Sequence, residues 1–381
     1  MRSLALALSF AGIGALLFAC SGSTNSNGFS DTTGSGGGGG GGGPGGGGFG
    51  TGNTDGGGGG GGGGSMPQQV DKTAACDTGL AVDGDAAAFA KSIGICTTAA
   101  KDGYGLVSAT YSKAFGSGSA PAKGQWGLLP QFGSAIKPRE GSTLGVLSSG
   151  IAREYDDING GTTEFVKGLP LYLFGGSPAG TAPPGFPKKA MGCDQDSKVN
   201  DMINVKLTLT APKDATGFQF DFDFYSSEWP NYVCSNFNDA FIAYLTSNKV
   251  AGDNISFDSN NNPVAVNNNF LNRCTPNTGV GCDGKGAGKP ISTAACAGKE
   301  TELQGTGYGA TASTDCTTKQ KATVGGATGW LTTQAPVAPG ETFTIEFMIW
   351  DAGDEALDSS VLIDNFQWIG GNVSTGTTRV N

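Results

Sequence analysis

The 381-residue chain contains no histidine. Imidazole is the usual general base of serine and cysteine hydrolases and the commonest zinc and copper ligand, so Ser-His-Asp triads, Cys-His dyads and HExxH zinc sites are excluded outright. Charge is scarce and one-sided: charged residues make up 15% of the chain, and 33 acids against 23 bases leave a net charge of −10. A phosphate-backbone partner needs a clustered basic surface, and no Walker element or GxGxxG turn opening a helix is present. Nucleic acid and nucleotide cofactors are therefore not expected. A CxxC pair is missing too, which leaves a thiolate zinc site as a minor alternative only.

Long apolar runs are equally scarce. The run from Leu4 to Ala19, behind Arg2, is too short to span a bilayer comfortably and stands where a secretory signal belongs. It ends in Leu17-Phe18-Ala19-Cys20, which resembles the lipobox of bacterial lipoproteins. The resemblance implies that residues 1–19 are a removed signal peptide and that Cys20 is lipidated as the first mature residue. Ser21 stands where an Asp would mark inner-membrane retention, so the implied address is the outer membrane, exposed at the cell surface, with the lipid as the membrane contact. The plainer alternative is an ordinary signal peptide with a chance cysteine.

Glycine, by contrast, is abundant, at 68 residues, of which 24 lie between positions 34 and 64. Such composition offers no apolar surface to offset ordering entropy, so residues 20–65 read as a flexible tether with a root-mean-square span of roughly 35–40 Å. Residues 66–381 form the head. It carries an even set of eight cysteines, Cys76, Cys96, Cys193, Cys234, Cys274, Cys282, Cys296 and Cys316. In an exported chain that set reads as four disulfides. Spacing suggests Cys76 with Cys96, Cys193 with Cys234, and two bridges within the 274–316 cluster, inside an insertion at about 272–325.

The head's patterning is that of strands. Phe218, Phe220, Phe222 and Phe224 alternate with Gln219, Asp221 and Asp223, Phe343, Ile345, Phe347 and Ile349 alternate likewise, and further strands are expected at 240–245 and 361–368, the last closing the domain. With Gly, Pro and Asn in the connections, the expected fold is all-β, a jelly-roll-like antiparallel sandwich. One short helix is expected over Ala86–Ile93, with Asp85 as its N-cap and Gly94 at its stop. A calcium role for Asp83 and Asp85 is the lesser reading.

Two connections concentrate acids: Ser226-Ser227-Glu228-Trp229-Pro230-Asn231-Tyr232 leading to Phe237-Asn238-Asp239-Ala240-Phe241, and Asp351-Ala352-Gly353-Asp354-Glu355-Ala356-Leu357-Asp358-Ser359. These segments resemble the choice-of-anchor L domain, a family of bacterial surface modules, as do Gly127–Gly133, Pro138–Gly141 and Leu147–Gly150 upstream. The resemblance covers most of 75–370 and implies surface presentation without implying a reaction.

Three readings of the acids stay open. Glu228, Asp239, Asp351, Asp354 and Asp358, helped by Asn238 or backbone carbonyls, supply oxygens for calcium if the two connections meet, which requires the second and fourth strands to be neighbours. Alternatively, Asp239 and Asp358 hold turn amides. Thirdly, Glu228 with Asp351 or Asp354 forms a glycosidase pair. Trp229, Tyr232 and Trp350, beside these acids, are candidates for a sugar-binding face, although tryptophans are more often packing residues. The reading as a whole is a tethered surface lipoprotein for binding or adhesion to an extracellular glycan or protein, with calcium as its cofactor. A carbohydrate-binding module or carbohydrate-active enzyme is the alternative.

Overall fold

The computed structural model describes residues 68–153, 180–190, 197–267, 302–308, 325–354 and 357–380, with a few short pieces between them. All described elements belong to the unit Gly62–Asn381. The expected signal peptide, Cys20, the glycine tether and Cys274, Cys282, Cys296 and Cys316 lie outside the described residues.

In chain order the elements are β1 (Gln68–Gln69), α1 (Ala86–Ser92), α2 (Ala99–Asp102), β2 (Gly105–Ser112), β3 (Trp126–Leu129), β4 (Leu144–Ser148), β5 (Val199–Thr210), β6 (Gly217–Ser226), β7 (Ala240–Thr246), β8 (Ala251–Asn254) and β9 (Val264–Ala265). The short strands β10 (Gly279–Val280), β11 (Pro290–Ile291), β12 (Thr311–Thr314) and β13 (Lys321–Val324) make two small ribbons within the expected insertion. β14 (Gly326–Ala327), β15 (Leu331–Pro336), β16 (Thr342–Ala352), β17 (Ser359–Gly370) and β18 (Gly376–Arg379) complete the fold.

Two antiparallel sheets result. The first runs β18-β15-β6-β17-β4-β3, with β1 on β17 and β14 on β6, and the second runs β2-β5-β16-β7-β8, with β9 on β7. The fold is thus the expected all-β sandwich. Its core follows from the period-two alternation: Phe218, Phe220, Phe222 and Phe224 from β6 meet Phe241 and Leu245 from β7 and Phe343, Ile345, Phe347 and Ile349 from β16 in one buried cluster. Rings engage across the sheets, Phe220 to Phe347 edge-on at 5.0 Å and Phe222 to Phe241 at 5.0 Å. The outer face of the first sheet is also covered, because Tyr225, Val146 and Leu362 pack with Phe132, Leu303 and Tyr308.

Three expectations are corrected. The strand over 361–368 does not close the chain, since β18 follows and pairs with β15. There are two short helices among the described residues, because Ala99–Asp102 makes a single turn that ends at Gly103 with φ 79°. The second and fourth of the strands read from sequence, β7 and β17, are not neighbours: they lie in different sheets. Helix α1 is as expected, its Ala88 N–H donating to Asp85 Oδ1 at 2.8 Å and its Phe89 and Ile93 reaching the core.

Two disulfides join the partners that spacing suggested. Cys76–Cys96 has a Cα separation of 5.6 Å, and Cys193–Cys234, at 4.5 Å, ties the segment before β5 to the connection after β6.

Candidate functional site

The alternation that fills the core continues past its last apolar residues. On β16 the inward series Phe343, Ile345, Phe347, Ile349 reaches Asp351, and on β7 the series Leu245, Ala243, Phe241 runs back to Asp239. Beyond β6 the same parity, Phe222, Phe224, Ser226, arrives at Glu228. Side chains two apart along a strand share a face, so Asp351, and Asp239 just before β7, are delivered to the space between the sheets rather than to solvent. Glu228 instead lies in the bend two residues past the end of β6 and is buried there.

The topology brings the three series together. Residues 227–239 cross from the first sheet to the second, and residues 353–358 cross back. Ser226 lies opposite Ser359, and Ala240 opposite Trp350, so both crossings fall at the same end of the sandwich. The two connections therefore meet without β7 and β17 being neighbours. Close by, β5 places two residues, Asp201 and Met202, against Trp350 alone, a bulge at which Asp201 adopts φ 44°.

One carboxylate oxygen from each of Glu228, Asp239 and Asp351 lies within 4.8 Å of the others. Their exposures are 1%, 0% and 0%. Glu228 accepts from the Asp239 N–H at 3.4 Å. Asp239 accepts from Ala352 N–H at 3.1 Å and from the Ser359 hydroxyl at 2.6 Å, so the backbone it holds is the last residue of β16 and not a turn amide. Asp351 differs: its carboxyl faces that of Asp239, and among the described residues no N–H donates to either of its oxygens.

Burial raises the affinity of all three carboxyls for protons, and the neighbouring negative charges add to it. Asp239 is pushed up to about 7 by burial, its hydrogen bonds from Ser359 and Ala352 holding it back. Burial first, then the charge of Asp239, drives Glu228 well above the ordinary carboxylate range, and burial with Asp239 and Glu228 does the same to Asp351.

Asp358 and Asp354 stand outside the trio. Asp358 is buried, accepts from Ser149 Oγ at 3.3 Å and leaves Oδ2 without a partner among the described residues. Gly150 is required beside it, since a Cβ there would lie 2.0 Å from Asp358 Oδ2. Asp354 is half-buried and its carbonyl accepts from the Asn200 side chain. Asn238, expected as an auxiliary ligand, uses its carbonyl oxygen to accept from Asn267 N–H at 2.9 Å.

The aromatic candidates need correction. Trp229 and Trp350 are completely buried, so neither offers a face to a sugar. Trp350 projects into a cluster with Met202, Ile242 and Met348 on the far side of the second sheet, and Trp229 belongs to the main core. Tyr232 is half-buried, edge-on to Phe237 at 5.3 Å. Ser149 and Ser359, whose hydroxyls reach Asp358 and Asp239, were missed as site residues although both stand in segments that carried the family resemblance.

No curated protein and no solved structure matches the chain. Among the described residues, no helix is long and apolar enough to cross a membrane. A family match does exist, narrower than the resemblance read from sequence because it leaves out the segments at 127–150, which nonetheless add β3 and β4 to the first sheet. Residues 189–367, which include both acid-bearing crossings, match the choice-of-anchor L domain.

Proposed function

We propose that the protein is a surface-held binding or adhesion module, its head carried on a glycine tether from a lipidated Cys20 in the outer membrane. The family match supports the surface address, since a choice-of-anchor domain belongs to surface-associated β-rich proteins. The observation that carries the non-catalytic reading is the sealing of the acids. A glycosidase needs two carboxyls about 5–9.5 Å apart with a sugar between them. Here the Glu228 and Asp351 oxygens lie within 4.8 Å, inside the protein.

One observation favours the carbohydrate-binding alternative, and it lies elsewhere. An open depression of about 420 Å³ is lined by Phe257, Asp258, Ser259, Phe270, Thr377 and Arg379, with the guanidinium 5.0 Å from the Phe270 ring centre. Half-buried rings beside polar groups suit the apolar and polar faces of a sugar.

The test is a glycan array and a glycosidase substrate panel run on the purified mature protein and on Phe257→Ala. Binding without turnover supports the module, and its loss in Phe257→Ala supports the carbohydrate reading. Release of product from any glycoside that tracks the wild-type protein would overturn the non-catalytic assignment.

A further inference from the structure

We infer that Glu228, Asp239 and Asp351 form a binding site for one hard divalent cation of the calcium class, which clamps the two inter-sheet crossings together. This goes beyond the binding or adhesion reading and does not depend on it.

Crowded acids alone would not carry the inference. Asp351 does, because this carboxyl has no exposure, no donor to either oxygen among the described residues, and only the acidic Asp239 carboxyl against it, so its lost hydration is not replaced by any neutral or cationic group seen there. Such a carboxyl destabilises the fold unless a cation or a proton answers it. Two further oxygens beside the trio in sequence or charge are likewise buried without partners among the described residues, Ser227 Oγ and Asp358 Oδ2. The ligand oxygens lie within 4.8 Å of one another, the spread that bonds of about 2.3–2.6 Å to a shared ion permit.

The donor set selects the ion. It is all oxygen and mainly carboxylate, which suits calcium and does not suit zinc or copper, whose sites use imidazole and thiolate. Magnesium retains several waters, and a site closed from solvent disfavours it against calcium. Mechanically, Glu228 and Asp239 sit at the two ends of the crossing 227–239, and Asp351 sits just before the return at 353–358. An ion held by all three therefore ties both crossings, and through them both sheets, at a point where the apolar core ends.

Shared protons are the competing answer to the same repulsion, and the experiment separates the two. Trp229 and Trp350 are each one residue from a ligand and fully buried, so they can sensitise terbium bound in the site. The mature protein, stripped with chelator, is titrated with terbium and then with calcium. Tryptophan-excited terbium emission should saturate and be displaced by calcium, and the melting temperature should rise from chelator to millimolar calcium. Asp351→Asn, whose amide mimics a protonated acid, should melt in chelator no lower than wild type yet bind terbium at least about tenfold more weakly. Glu228→Gln serves as the second ligand variant should Asp351→Asn not fold, and Asp354→Asn should retain the ion. A wild-type protein that neither sensitises terbium nor changes its melting with calcium would overturn the site. So would emission that survives both ligand substitutions.

Discussion

At the scale of single residues, the head keeps acids where their charge is costly, and pH exposes this. Asp364, on β17 and outside the trio, accepts from the N–H groups of Arg139 at 2.6 Å and Glu140 at 3.3 Å, and from Asn365 N–H. Burial nevertheless pushes it up to about 7, with the Glu140 charge adding to the effect and the three amides opposing it. Arg139 gives little relief, because its guanidinium is engaged by Asp221 at 2.5 Å. An acid whose folded-state pKa lies above its unfolded value contributes stability that is full below the unfolded pKa and is lost as pH rises through the folded one. Stability should therefore fall from about pH 4 to just above pH 7. Asp364→Asn, measured by urea unfolding at a fixed calcium concentration, should flatten that fall by an amount on the order of 1–4 kcal/mol. Equal slopes in the two proteins would assign the pH dependence to other acids.

At the scale of elements, the strands outweigh the helices. Phe222 is buried on β6, with Phe220 and Phe241 rings at 5.9 and 5.0 Å, so Phe222→Ala removes a large side chain from a space bounded by both sheets. Such truncations cost about 3–5 kcal/mol. By comparison, Asp85→Ala deletes one cap bond of a seven-residue helix and should cost about 1 kcal/mol. Urea midpoints at unchanged slope test the order, and an Asp85→Ala loss exceeding that of Phe222→Ala would reverse it. These elements were legible in the sequence for the same reason that they are stable: four phenylalanines at period two specify a half-buried strand, and Asp85 before an alanine run specifies a helix start. The turn Ala99–Asp102 was not legible, because four residues are too few for a helical period to register.

At the scale of the whole molecule, the proposed function turns on where the head is held. The proposed anchor makes a direct prediction: Cys20→Ala should move the protein from the detergent phase to the soluble fraction and abolish fatty-acid labelling, with the head's melting unchanged. Labelling retained in the variant would remove the lipid from the account. Within the head, the strands outside the family match are also structural, since β2 pairs with β5, β4 with β17, and β18 with β15. A cut at the limits of 189–367 would expose sheet edges now covered, and with them unpaired backbone groups.

The sequence by itself determined the class of fold, the inward phenylalanine faces, the helix cap and which acids crowd the two connections, and its cysteine spacing suggested two pairings that only the structure decided. It did so because these are local or periodic properties, written in residues two to four apart or in spacing along the chain. It even held the clue to the trio's burial, as Asp351 and Asp239 occupy the apolar parity of their strands. Only the tertiary structure decided which acids converge. Whether 227–239 meets 353–358 depends on strand partners about 120 residues apart, and no local pattern specifies sheet order. The same non-local choice separated Glu228, Asp239 and Asp351 from Asp354 and Asp358, and buried Trp229 and Trp350 that adjacency alone had placed beside a sugar. Convergence of the three carboxyls is thus a product of two sheets closing at one end, where the alternation that builds the core runs out of apolar residues.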